Sequence, residues 1–185
     1  GEPNERDAFA VAMVGSRDAS AYGRQMTAQI GEGLAARGIT IVSGMARGID
    51  AAAHDAALRA GGRTIAVLGS GIDVIYPSEH HRLSMQIARN GAVVSEYPMG
   101  TAPDADNFPG RNRIISGISL GTIVVEAAER SGSLITAREA VELGRDVFAI
   151  PGSIDSPLSK GCHQLLRRGA GLAETVDDVL SGLDW

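Results

Sequence analysis

Short apolar runs that end on a glycine- or serine-bearing turn and then pass into a helical repeat constrain this chain more than any other feature. Ala8 to Val14, Ile39-Thr40-Ile41-Val42, Thr64 to Leu68, Ala92 to Val94, Thr122 to Val125 and Val147 to Ile150 are such runs. Several are almost continuously apolar rather than alternating, so both of their faces need cover, which is the condition of a parallel sheet. Helices between successive strands supply that cover. Strand, turn and helix in repeated order predict an α/β fold, three-layered with a mostly parallel sheet and right-handed crossovers.

The helices carry their own punctuation. Ser20 is placed to cap a helix whose Tyr22, Met26, Ile30 and Leu34 recur every four residues, with Gly38 as its stop. Ser78 is the expected cap of a helix carrying Leu83 and Ile87, and Ser133 that of a helix carrying Leu134, Ile135, Ala137 and Val141. A further helix is expected over Cys162 to Arg168, a short edge strand at Leu172-Ala173, and a capping box in Thr175-Val176-Asp177-Asp178. Ser95 to Arg113 breaks the rhythm: it is rich in proline and turn residues, has no helical or strand period, and is read as a functional loop ending where Ile114-Ile115 begin a short helix. Residues 1–7 read as a disordered polar tail and residues 8–185 as a single domain.

Charge and composition narrow the function classes. The net charge of −5 argues against a broadly basic nucleic-acid binder, although a local cationic cleft is compatible with it. A lone cysteine, Cys162, excludes an internal disulfide and a cysteine zinc cluster. No metal-ligand spacing is present, and neither a metal nor a cofactor is expected. No apolar run approaches ~18 residues and no secretory signal is visible, so the expected location is the cytoplasm.

In an open parallel sheet, ligands bind outside the carboxyl ends of the strands. The turns that emerge there are Gly15-Ser16-Arg17, Ser43-Gly44-Met45-Ala46-Arg47-Gly48-Ile49-Asp50, Gly69-Ser70-Gly71, the loop after Val94, Ser131-Gly132-Ser133 and the segment reaching Lys160. A glycine turn feeding a helix N-terminus directs unpaired N–H groups and a positive dipole end outward, where an anion such as phosphate is the natural guest. The same glycines also let a helix pack closely on the sheet, and both readings stand. Converging there, Arg17, Arg47, Arg111, Arg113 and Lys160 would form a cationic rim that the whole-chain charge conceals. Phe108, beside Arg111 and Arg113, is either a buried loop anchor or a surface on which a base stacks. The carboxylates Asp50, Asp73, Glu96 and Glu126 fall near the same edge. Glu96 or Glu126 would be the general base of a hydrolytic enzyme, but no histidine is placed to assist, and caps or ion pairs account for them as well.

Six segments together carry a family resemblance. They are Gly15-Ser16-Arg17; Ser43 to Asp50; Gly69-Ser70-Gly71-Ile72-Asp73-Val74-Ile75-Tyr76-Pro77; Ser95-Glu96-Tyr97-Pro98; Phe108-Pro109-Gly110-Arg111-Asn112-Arg113-Ile114-Ile115-Ser116; and Glu129-Arg130-Ser131-Gly132-Ser133. In this order they resemble the signature series of the DNA-processing protein A (DprA/Smf) family over nearly the whole chain. The resemblance implies an extended Rossmann-like fold that binds single-stranded DNA without sequence preference, forms a homodimer and hands DNA to the RecA recombinase during natural transformation, without catalysis. By position, Arg17, Ser43, Gly44 and Arg47 would face phosphates, Phe108 would stack on a base, and Arg111, Arg113 and Lys160 would line the pocket. Gly15, Ser16, Asn107, Asn112, Ser131, Gly132 and Ser133 would complete the DNA-binding surface. Where the family often has lysine after Tyr-Pro, this chain has Ser78-Glu79-His80-His81-Arg82. Many members carry a helical domain before this region and a winged-helix-like domain after it, and these 185 residues match neither. Two alternatives are a phosphoribohydrolase-like enzyme and a mononucleotide sensor. The former depends on Gly-Gly-x-Gly-Thr-x-x-Glu after a strand, whereas here Gly121-Thr122 precede the strand and Glu126 follows it.

Overall fold

The computed structural model describes all 185 residues. Its elements in chain order are β1 (Ala10–Val14), α1 (Ala21–Ala36), β2 (Thr40–Ser43), α2 (Ile49–Arg59), β3 (Thr64–Val67), α3 (His81–Asn90), β4 (Gly91–Val94), α4 (Asn107–Gly117), β5 (Gly121–Val124), α5 (Ser133–Glu142), β6 (Asp146–Ala149), α6 (Lys160–Arg167), β7 (Gly171–Leu172) and α7 (Val176–Gly182). The strands form one seven-stranded sheet in the order β4-β3-β2-β1-β5-β6-β7. Every pairing is parallel, so the mostly parallel sheet expected is wholly so.

The direction of travel decides which face each helix covers. From β1 to β4 the chain steps one way across the sheet, then crosses back to β5 and steps the other way. Right-handed crossovers put the helices of these two halves on opposite faces. On the first face Ile30 and Leu34 of α1, Ile49 and Ala53 of α2 and Val179 of α7 pack against Val11, Met13, Ile41 and Ile123. Leu83 and Ile87 of α3 pack there too, against Ala66 and Leu68. On the second face Ile115 of α4, Ala137 of α5 and Cys162 of α6 meet Ala10, Ala12, Val42, Val67 and Val124. Neighbouring residues of one strand thus serve different cores, which is why the runs are apolar at every position. The reversal falls between β1 and β5, the place where the flanking loops splay apart at the carboxyl edge.

Local signals mostly act as read. The Ser20 hydroxyl accepts from Gly23 N at 3.0 Å, and Thr175 with Asp178 closes a capping box on α7. Two caps differ. Ser133 is the first helical residue of α5, and Ser131 Oγ accepts its N–H at 3.3 Å. Ser78 opens a 3-10 turn over Ser78–His80, after which α3 begins at His81.

Two segments are more ordered than expected. Glu5–Ala8 form a 3-10 turn capped by Asn4, where the sequence reads as tail, because Asp7 meets Arg63 Nε at 2.7 Å. Burial works against the Asp7 carboxylate, yet the Arg63 guanidinium and the Asn4 N–H outweigh it and hold its pKa below the ordinary value. The loop after β4 also ends earlier than its proline content implies. α4 starts at Asn107 and carries Pro109 in its first turn, where a missing N–H breaks no helical bond.

Candidate functional site

Three strand exits are locked together before any ligand group is placed. Ser16 N donates to Glu126 O at 2.8 Å, joining the exits of β1 and β5, and Ile49 N donates to Ser16 O at 3.1 Å, joining the start of α2 to the same turn. Gly48, at φ +77°, passes so close that a Cβ there would lie 2.2 Å from Ser16 O. Glycine is required on both counts. Ser43 and Gly44, read as phosphate-facing, lie beneath this surface. The Ser43 hydroxyl is fully buried and donates to Met13 O at 2.6 Å, so it braces β2 against β1.

Below the cleft sits a buried charged brace. Asp50 Oδ2 accepts from Gly44 N at 3.2 Å and Ala46 N at 3.3 Å, holding the β2–α2 turn from inside. Burial pushes its pKa up, opposed by the positive charge of Arg111. Arg111, only 4% exposed, donates from Nη1 to Gly44 O at 2.7 Å and to Val67 O at 2.6 Å, and from Nε to Asn112 Oδ1 at 3.1 Å. Burial draws its pKa down, against the pull of Asp50. A guanidinium so engaged ties α4 to the ends of β2 and β3, with its charge lying just under the cleft floor.

On this base lies a cleft of about 520 Å³ whose wall includes Arg17, Phe108, Arg111, Asn112, Arg130 and Ser131. Gly15, Ser16, Gly132 and Ser133 line it as well. Phe108 packs over Gly69, where a Cβ would lie 2.6 Å from its ring. Arg17 Cζ stands 5.3 Å from the Phe108 ring centroid and Arg111 Cζ 5.5 Å, and the Tyr76 ring stacks on Phe108 at 6.0 Å. The ring is therefore an anchor that also forms part of the cleft wall. Arg17 is exposed and outside every ion pair of the chain.

The remaining cations of the expected rim lie elsewhere. Arg47 Nε pairs with Glu79 at 2.5 Å, Arg113 pairs with Glu96, and Lys160 Nζ donates to Ile154 O at 2.5 Å, all outside the cleft wall. Asn107 is also outside it, its side-chain amide donating to Gly69 O at 3.1 Å. Arg130 joins the wall although the sequence reading did not select it. Its signal was present: an arginine directly before the small residues that open α5.

The carboxylates at this edge are all engaged. Asp50 is described above, Asp73 Oδ1 accepts from Gly100 N at 2.8 Å, Glu96 pairs with Arg113, and both Glu126 carboxylate oxygens accept from Ser20. No group of three or more His, Cys, Asp or Glu is placed to hold a metal ion. No helix is long and apolar enough to cross a membrane.

Comparison with known proteins adds independent findings. The family model described as DNA recombination-mediator protein A matches residues 1–184. The chain is 51% identical to Protein Smf of Escherichia coli (strain K12), over 100% of this chain and 50% of that protein, so it spans about half of that relative's length. The X-ray structure of DNA processing protein A from Streptococcus pneumoniae superposes with a TM-score of 0.91 at 49% identity, covering 98% of this chain and 64% of that one. A structure of DNA processing protein A from Helicobacter pylori, whose subject is its single-stranded DNA binding mode, superposes at 0.87 with 30% identity, covering 98% of this chain and 86% of that one.

Proposed function

The chain belongs to the DNA recombination-mediator protein A family, and from that premise we propose that it binds single-stranded DNA without sequence preference in the cleft between the β1 exit and α4. The observation that carries this reading is the unpaired Arg17 guanidinium beside the face of Phe108, on a cleft that also holds Arg130 and the small-residue mouth of α5. Phosphates are met by Arg17, by Arg130, by the Gly132 N–H and by the hydroxyls of Ser131 and Ser133, at the positive end of the α5 dipole. A base stacks on Phe108, a contact worth about 1 to 3 kcal/mol that every base can make. Backbone charge and a π face carry no sequence information, so binding is sequence-tolerant.

Arg111 acts from below, contributing field to the cleft while its donors hold backbone. Arg47 and Arg113, outside the cleft wall, add further phosphate contacts in this reading. Their partners Glu79 and Glu96 are solvent-exposed, and such pairs are exchanged for phosphate at little cost. The engaged carboxylates support a binding role without catalysis. The family's description as a recombination mediator supports a place in recombination; to this we add, as part of the proposal, delivery of the bound strand to a RecA recombinase in transformation, by a homodimer in the cytoplasm.

Fluorescence anisotropy with single-stranded, duplex and mononucleotide ligands across a salt series tests the reading. Single strands are expected to bind tightest, with affinity falling as salt rises. Equal affinity for a mononucleotide would favour the sensor alternative, and wild-type binding by both Arg17→Ala and Phe108→Ala would remove the cleft.

A further inference from the structure

A second cavity of about 490 Å³ opens at the same carboxyl edge, between the first turn of α1 and the β6–α6 loop, and shares no lining residue with the cleft. Its wall is made of hydroxyls and one carboxylate: Ser20, Glu126, Ser153, Ser156, Ser159 and the Tyr22 ring. Ser159 is only 5% exposed as a residue, it lines this space, and its Oγ makes no hydrogen bond within the chain, so the hydroxyl is free to pair with a guest. Glu126 is 4% exposed. Each of its carboxylate oxygens accepts one bond from Ser20, from N at 3.0 Å and from the hydroxyl, which leaves a lone pair on each. No lysine or arginine lines the cavity, so a phosphate would meet a carboxylate with no cation to offset it.

We propose that this cavity binds the vicinal diol of a small uncharged sugar, presented by a ribonucleoside or by a free pentose. Two adjacent O–H groups donate to the free lone pairs of Glu126, and their oxygens accept from Ser159 and Ser156. A carboxylate beside a strand end of an α/β sheet is suited to ribose hydroxyls, because its two oxygens match the spacing of the diol. Tyr22 is 42% exposed, and its hydroxyl is anchored on Pro151 O at 2.5 Å, which fixes the ring as a flat apolar wall for the base or the sugar carbons. The two sites are distinct but mechanically joined. The carbonyl of Glu126 holds Ser16 of the cleft at 2.8 Å while its side chain faces the second cavity.

Heteronuclear NMR titration of the protein with uridine, 2′-deoxyuridine and ribose at millimolar concentration tests this, since none of the three carries a phosphate for the cleft. Uridine is expected to shift the amides of Gly152, Ser159 and Glu126. Removing the 2′-hydroxyl is expected to weaken binding about tenfold, the loss of one bond to a charged acceptor. Ribose binding as tightly as uridine assigns the site to free sugars; weaker ribose binding assigns it to nucleosides held through Tyr22. Ser159→Ala is expected to lower affinity for uridine with the remaining spectrum unchanged. Three results overturn the proposal: no shift at these amides, equal affinity for uridine and 2′-deoxyuridine, or undiminished uridine binding by Ser159→Ala. None of these outcomes bears on oligonucleotide binding in the cleft, which is read separately.

Discussion

Arg111, on α4, donates to the carbonyl of Gly44 at 2.7 Å, across the sheet edge and 67 residues away in sequence. This bond fastens the excursion after β4 onto the turn after β2, and the same nitrogen reaches Val67 O at 2.6 Å. Arg111→Leu leaves two buried carbonyls and the Asp50 carboxylate without their cation. It is expected to destabilise the fold by about 3 kcal/mol, read as a lower urea midpoint at unchanged slope. An unchanged midpoint would show that the brace is not structural.

His54 makes the fold acid-sensitive. Thr64 Oγ1 donates to Ile41 O at 2.8 Å and therefore accepts from His54 Nδ1 at 2.7 Å, which leaves Nε2 unprotonated, buried and unpartnered. Burial first, then the charges of His80 and Arg111, pull the His54 pKa down to about 3. Because the folded value lies below the unfolded one of about 6.5, the stabilisation is complete above that pH and is lost as pH falls from there toward the folded value. Stability is expected to fall by about 2 kcal/mol between pH 7 and pH 5 from this residue. Denaturant titrations of the wild type and His54→Leu at both values check it, the variant losing this part of the slope.

Gly48 holds the β2–α2 turn against the β1 exit at φ +77°. Gly48→Ala places a methyl 2.2 Å from Ser16 O in a backbone region costly for alanine. A loss of at least about 2 kcal/mol is expected, together with weakened oligonucleotide binding. Wild-type stability in this variant would contradict the close approach of the two turns.

Arg17→Ala removes an exposed, unpaired cleft arginine while leaving the brace below intact. Its binding to all single-stranded sequences is expected to weaken alike, and the plot of log affinity against log salt to flatten by about 0.7. Phe108→Ala is expected to weaken binding with little change in that slope, since stacking releases no counterion. A flattened slope in the Phe108 variant and an unaltered one in the Arg17 variant would reverse the two roles.

Much of the fold was legible because its signals are local. The doubly apolar runs require a parallel sheet, the four-residue spacing of Ile30 and Leu34 points one side of α1 at it, and Ser20 and Thr175 cap helices through bonds within three residues. The site was legible only in part. Gly15, Ser16, Arg17, Phe108 and Ser131 to Ser133 share one cleft, as their positions after strands imply. Ser43 was legible as a turn residue but not as a buried one, since the direction of its hydroxyl depends on where Met13 lies in the neighbouring strand.

The amino-acid sequence by itself determined the alternation of strand and helix and the edge of the sheet on which the glycine turns emerge, because both follow from contacts a few residues apart. Only the tertiary structure decided what each charge does. Arg111 is drawn under the surface by two distant carbonyls, Arg47 and Arg113 are held by Glu79 and Glu96, and Arg17 is left free. A guanidinium goes to whichever acceptor the folded chain brings within reach, and those acceptors come from strands and loops far away in sequence.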